Sequence, residues 1–242
     1  MSLVITVYVR EGIVMAADSR LTLNAQKTQG TESVVNLAVG QSDSNHKLFL
    51  TPHGVGIATF GEAAIDGVPI AGYMESFIDS DLGDETTTVE EVAIRLSAHF
   101  GSFTPTPDTQ FHVAGYSRVD GETFQEAWKV NIAKNEIRRL NPTQEMGASW
   151  GGEGDVLARL IQPAAQIDKD GNAVNQFPVY PIPYGFFTLQ DAIDFAVFAI
   201  RSTIDAIRFQ PRAKTVGGPI DVLVIKPAGA EWVQRKELSA DR

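Results

Sequence analysis

Cysteine is absent from the chain. That excludes disulfides, thiolate-bound metal and a cysteine nucleophile, and it fits a reducing compartment. Positive charge is scarce as well: 20 Lys and Arg stand against 30 Asp and Glu, for a net charge of −10. An acidic surface is repelled by phosphate backbones and anionic lipid, so neither nucleic acid nor a membrane surface is expected as a partner. Long apolar runs are missing too, and no stretch approaches the roughly 20 apolar residues of a membrane span. The apolar start, residues 3–9, is short, lacks a basic leader and runs into Arg10-Glu11-Gly12. It does not read as a signal peptide, and a cytoplasmic chain is expected. The four histidines, His46, His53, His99 and His112, lie without ligand spacing, so no metal or organic cofactor is expected.

What is present is the balance of a globular protein with a sizeable core, 43% apolar and 21% charged. Val4-Ile5-Thr6-Val7-Tyr8-Val9 and Ile13-Val14-Met15-Ala16-Ala17 flank Glu11-Gly12 and predict a hairpin. The polar stretch 24–45 has little periodicity and reads as a long loop. Strand character resumes at Lys47-Leu48-Phe49-Leu50 and over 55–60, around Pro52-His53-Gly54. A helix is expected over 62–78, its first turns weakened by Gly67 and Pro69. Thr88 and Glu91 have capping-box spacing ahead of a second helix whose apolar face is Val89, Val92, Ala93, Leu96 and Phe100.

Strands are expected again over 111–116, 126–132 and 136–140. Gly151-Gly152-Glu153-Gly154 introduces a third helix, and the proline-punctuated 166–185 is expected to be irregular. Thr188 and Asp191 cap a long helix over 189–209, followed by strands over 219–225 and 231–235. The order is strands, two helices, strands, two helices and terminal strands, with no linker and no short repeat. Such runs predict an antiparallel α+β fold in one domain over residues 1–242.

The run GIVMAADSRLT, with the strand before it, resembles the start of proteasome β-type subunits, which are N-terminal nucleophile hydrolases. HKLFL, GIATFGEAAIDG and GGPIDVLVI extend the resemblance, in order, over most of the chain. It implies a four-layer αββα sandwich, two antiparallel sheets between helix layers, and a homo-oligomeric ring; an ATPase partner is left unassigned. In that class the hydroxyl of the first mature residue attacks a carbonyl while its own α-amine takes the proton. A lysine ammonium depresses the proton affinity of that amine, and an aspartate holds the lysine.

The resemblance carries these roles residue by residue. The aspartate of AAD lies sixteen positions after the nucleophile, and counting back from Asp18 reaches Ser2. Serine is small enough for an aminopeptidase to remove Met1. The lysine corresponds to Lys47. The oxyanion donor, a backbone N–H at the close of the next strand, corresponds to Ala58 or Thr59. The family's serine in the loop before the third helix corresponds to Gly152, grouped here with the backbone candidates, and two further polar positions read Ala213 and Val216. These departures reduce the polar support around the amine, with Thr215 a stand-in only if its loop shifts by one.

The resemblance implies peptide-bond cleavage. A non-catalytic ring subunit and a small-amide hydrolase are the alternative readings. Other roles stay open at this point. Asp18 could instead bond backbone N–H groups or Arg20 at a strand end. Lys47 could be a solvated edge charge. Glu153 is either first-turn helix charge or a site residue. The segment FPVYPIPYG is a surface crossover, a ring contact or a cleft wall, and no Lys-Ser/Thr follows the glycine run as a phosphate loop requires.

Overall fold

The computed structural model describes residues 2–29, 32–83 and 88–237, and the side chains of 24–38 lie outside that description. The expected hairpin is formed by β1 (Leu3–Val9) and β2 (Gly12–Ala17). Every residue of both strands is buried, which explains why neither alternates apolar with polar. The alternation decides instead which core a side chain enters. Leu3, Ile5, Val7 and Val9 enter one apolar cluster, and Val4 and Tyr8 enter another.

The polar stretch expected as a loop is a ladder: β3 (Leu21–Gln29) pairs with β4 (Glu32–Ser42), with a register shift between Leu23 and Ala25. Ladder bonds are made by the main chain, so a strand pair needs no apolar period. A second hairpin, β5 (Leu48–Leu50) and β6 (Gly56–Gly61), follows directly after Lys47. The helix expected over 62–78 starts late. Asp66 and Gly67 take left-handed φ values of +50° and +79° and turn the chain between β7 (Ala64–Ile65) and β8 (Val68–Pro69). Pro69, without an N–H, then caps α1 (Ile70–Ser76), which widens into a π-helical turn at Phe77–Leu82.

The capping box forms as read. Thr88 Oγ1 accepts the Glu91 N–H at 3.2 Å, and Glu91 Oε2 accepts the Thr88 N–H at 2.9 Å, opening α2 (Val89–Gly101). The meander β9 (Thr109–Val119), β10 (Glu122–Asn131) and β11 (Glu136–Arg139) follows. Next comes β12 (Gly147–Gly152), a strand with no sequence signal, ahead of α3 (Asp155–Ile161). The segment expected to be irregular carries a short pair, β13 (Ala165–Ile167) and β14 (Ala173–Gln176). Thr188 and Asp191 cap α4 (Leu189–Arg208), and β15 (Asp221–Lys226) and β16 (Gly229–Gln234) complete the described elements.

Two five-stranded antiparallel sheets result, ordered β12-β1-β2-β15-β16 and β11-β10-β9-β6-β5. Three apolar clusters hold them. One joins the first sheet to α4 and α3, through Ala192, Ala196, Ala199 and Leu157. One joins the second sheet to α1 and α2, through Met74, Leu96 and Phe100. The third draws Met15 and Leu223 from the first sheet and Ala58, Phe60 and Ala114 from the second. This is a mixed α/β structure, and no helix among the described residues is long and apolar enough to cross a membrane.

Candidate active site

Asp18 follows the last residue of β2, and Lys47 precedes the first residue of β5. The fold brings them together from different sheets: Lys47 Nζ donates to Asp18 Oδ1 at 2.8 Å, with side chains 1% and 0% exposed. Three main-chain donors complete the carboxylate. Oδ1 also accepts the Leu3 N–H at 3.0 Å, while Oδ2 accepts the Arg20 N–H at 3.1 Å and the Gly217 N–H at 3.0 Å. Asp18 therefore makes the strand-end backbone bonds considered above and binds the lysine as well. The reading of Lys47 as a solvated edge charge is corrected: although β5 is the edge strand of its sheet, the Lys47 side chain turns onto Asp18 of the other sheet's hairpin and is only 1% exposed. Burial pushes the Lys47 ammonium below its ordinary pKa, and the Asp18 charge opposes that fall.

Ser2 is 1% exposed and shares a narrow crevice with Lys47, Asn45, Thr59, Phe60 and Glu62. The crevice is too tight to admit a water-sized molecule. Ser2 is fixed by its backbone: its carbonyl accepts the Glu153 N–H at 2.8 Å, and Leu3, beside it, exchanges bonds with Asp18.

The expected oxyanion donors fare differently. Thr59 lines the crevice, but its N–H donates to the Lys47 carbonyl at 2.9 Å, so it has no free donor, which corrects that expectation. Ala58 lies in the interior of the sheet, between Leu48 and His112.

Gly152 pairs with Leu3 at the end of β12 and takes φ +92°. A Cβ there would lie 1.8 Å from the Ser2 carbonyl oxygen, so no side chain can occupy the position. Its neighbour Gly151 leaves the space filled by the Phe60 ring, 2.3 Å from where a Cβ would stand.

At the two other departures, Val216 is buried in the cluster under α4, and the Ala213 carbonyl accepts the Thr215 N–H at 3.1 Å. Polarity enters this corner by another route. Thr215 Oγ1 donates to Glu153 Oε2 at 3.1 Å, and Arg212 bridges Glu153 Oε1 at 2.9 Å and Asp155 Oδ1 at 3.1 Å. Glu153 thus holds the Ser2 carbonyl with its main chain while its carboxylate is pinned by a buried hydroxyl and a guanidinium.

Sequence reasoning missed Arg212 and Gly217, which act at long sequence separation. It also missed Lys236, whose ammonium pairs with buried Asp221 and whose N–H donates to Asp221 Oδ1 at 2.8 Å. The signal was a lone aspartate inside the apolar run PIDVLVI, which demands a partner. Among the described residues no group of three His, Asp or Glu side chains is arranged to hold a metal ion.

No protein-family model matches the sequence, and no curated protein matches it. Among solved structures, the chain is similar to an Anbu (Gly-1) mutant from Hyphomicrobium sp. strain MC1. The TM-score is 0.60 at 15% identity, over 100% of this chain and 89% of that one. At that identity the likeness is one of fold.

Proposed function

We propose that the chain is a proteasome-like N-terminal nucleophile hydrolase that cleaves peptide bonds, with Ser2 as nucleophile once Met1 is removed. The observation that carries the reading is the buried Asp18–Lys47 pair, which faces the crevice that holds Ser2. The structural likeness to Anbu supports the superfamily.

In this reading the Ser2 hydroxyl attacks the scissile carbonyl, and its freed α-amine takes the hydroxyl proton and passes it to the leaving amine. The Oγ–C ester that forms is then hydrolysed by water, which restores the hydroxyl and releases the acid. The Lys47 ammonium, held by Asp18, keeps the α-amine unprotonated near neutral pH. The three apolar clusters support the four-layer αββα arrangement: α3 and α4, two sheets, then α1 and α2. One unit over 1–242, repeated in a homo-oligomeric ring, completes the proposal.

Mass spectrometry of the untagged protein is the first test, and a retained Met1 overturns the reading. With Met1 absent, an electrophilic peptide inhibitor is expected to add covalently to Ser2 and not to Ser2→Ala. A non-catalytic ring subunit is the second reading, favoured by the closed crevice and by Gly152, Ala213 and Val216. It predicts an oligomer by light scattering with no adduct. A small-amide hydrolase instead predicts that small acyl electrophiles label Ser2 and peptide ones do not.

A further inference from the structure

A larger cavity, of about 540 Å³, opens on the second sheet beside the Ser2 crevice. Its size suits a small ligand or a peptide side chain with its neighbours. Lys129 and Asn131 of β10, Lys134 of the following turn and Arg138 of β11 line it. Val130 and Ile137 pack into the cluster under α1 and α2, so alternation puts Lys129, Asn131 and Arg138 on the opposite face.

Two links tie this cavity to the crevice. The Lys129 ammonium lies 5.5 Å from the centre of the Phe60 ring, and Phe60 lines the crevice. On the other side, the Asp108 N–H donates to Glu62 Oε2 at 3.1 Å, and the Glu62 N–H donates to the Asp108 carbonyl at 2.9 Å. Asp108 lines the cavity and Glu62 the crevice.

The charge in the cavity runs against that of the whole chain, which carries −10. Lys129, Lys134 and Arg138 converge there, and none of the three makes an ion pair among the described residues. Burial, then the Arg138 and Lys134 charges, disfavour the Lys129 ammonium and Glu136 only partly offsets them, so an anion placed among the three cations eases the remaining repulsion. Asp108 and Glu136 also line the cavity, so three cations face two carboxylates and one net positive charge remains. That balance suits a singly charged carboxylate over a dianionic phosphate. Asn131 adds a directed donor: its Oδ1 accepts the Lys134 N–H at 3.1 Å, which leaves its amide hydrogens for a ligand.

We propose that this cavity is a carboxylate-binding subsite in which Lys129, Lys134 and Arg138 hold an acidic side chain or the C-terminal carboxylate of a peptide lying across Ser2. The peptide placement rests on the hydrolase reading. Binding is therefore measured in Ser2→Ala protein, which needs no turnover.

Three N-acetylated alanine tetrapeptides serve as probes in calorimetric titration. One ends in a free carboxylate, one in an amide, and one in an amide with a single Asp. At least one acidic probe is expected to bind about tenfold tighter than the neutral amide, the scale of a charge-assisted contact. Which one does so identifies the source of the carboxylate. The advantage should shrink between low and high salt. It should vanish in Lys129→Met/Arg138→Met and in Lys134→Glu, a reversal on an exposed turn that leaves the fold intact, and persist in Lys226→Met. Equal binding of all three probes, an advantage that survives both variants, or inorganic phosphate outcompeting the acidic probes overturns the proposal. If Ser2 labels with an electrophile while the probes bind equally, the subsite alone fails. If the acidic probe binds tighter while Ser2 stays inert, the hydrolase reading alone fails.

Discussion

Lys47 Nζ and Asp18 Oδ1 lie 2.8 Å apart, with almost no surface of either side chain in water. The pair is asymmetric. Asp18 keeps three main-chain N–H donors without the lysine, whereas among the described residues Asp18 is the carboxylate that pairs with the Lys47 charge.

That asymmetry predicts unequal substitutions. Asp18→Asn strands a buried ammonium and should lower unfolding free energy by about 3–5 kcal/mol. Lys47→Met leaves a carboxylate still solvated by amides and should cost less than about 2 kcal/mol. Urea unfolding of both measures this, and equal losses refute it. Under the hydrolase reading both variants lose activity.

Gly152 sets a second expectation. The resemblance would invite Gly152→Ser as a repair of the polar cluster. Here a Cβ at φ +92° meets the Ser2 carbonyl oxygen at 1.8 Å, which only a backbone shift of β12 or β1 can relieve. Gly152→Ser and Gly152→Ala should each destabilise by at least about 2–3 kcal/mol. Thermal melts would read the loss, and a wild-type melting temperature in either variant would contradict it.

His112 predicts an acid dependence. It is fully buried between the sheets, bonded through Nδ1 to Thr6 Oγ1 at 3.0 Å, and burial pushes its pKa down to about 3. The folded chain leaves it neutral, while the unfolded chain protonates it below about pH 6.5. The unfolded state therefore binds more protons in that window, and stability falls as pH drops. The expected slope is about 1.4 kcal/mol per pH unit below pH 6.5, flattening toward pH 3. His46, also pushed down by burial, adds in the same direction. Denaturation curves of His112→Gln at several pH values should show a shallower slope, and an unchanged slope rules the assignment out.

The pair of Lys236 with Asp221 ties the segment after β16 to the first sheet. Lys236→Met leaves Asp221, 1% exposed, without its countercharge and should cost about 3–5 kcal/mol. Lys236→Met/Asp221→Asn should recover most of that, because no buried charge is left alone. Strictly additive losses in this double-mutant cycle would show that the two groups do not act as a pair.

Much of the fold was legible because its signals are local. Short apolar runs marked β1, β2 and β15 as strands, and Thr88–Glu91 and Thr188–Asp191 marked two helix starts within one turn of chain. Other elements left no such mark. Gly147-Ala148-Ser149-Trp150-Gly151-Gly152 has little strand preference, yet it is a strand because β1 presents an open edge to it. The polar β3 and β4 pair through main-chain bonds, which side-chain pattern does not report.

The site divides the same way. Sequence alone determined the spacing of Ser2 to Asp18 and the lysine ahead of a short strand, because both follow from chain order and turn chemistry. Only the tertiary structure decided that Lys47 is buried against Asp18, that Thr59 has spent its amide, and that Glu153, Thr215 and Arg212 gather where Gly152 admits no side chain. Those are contacts between elements far apart in the chain, and their energy exists only once two sheets exclude water between them.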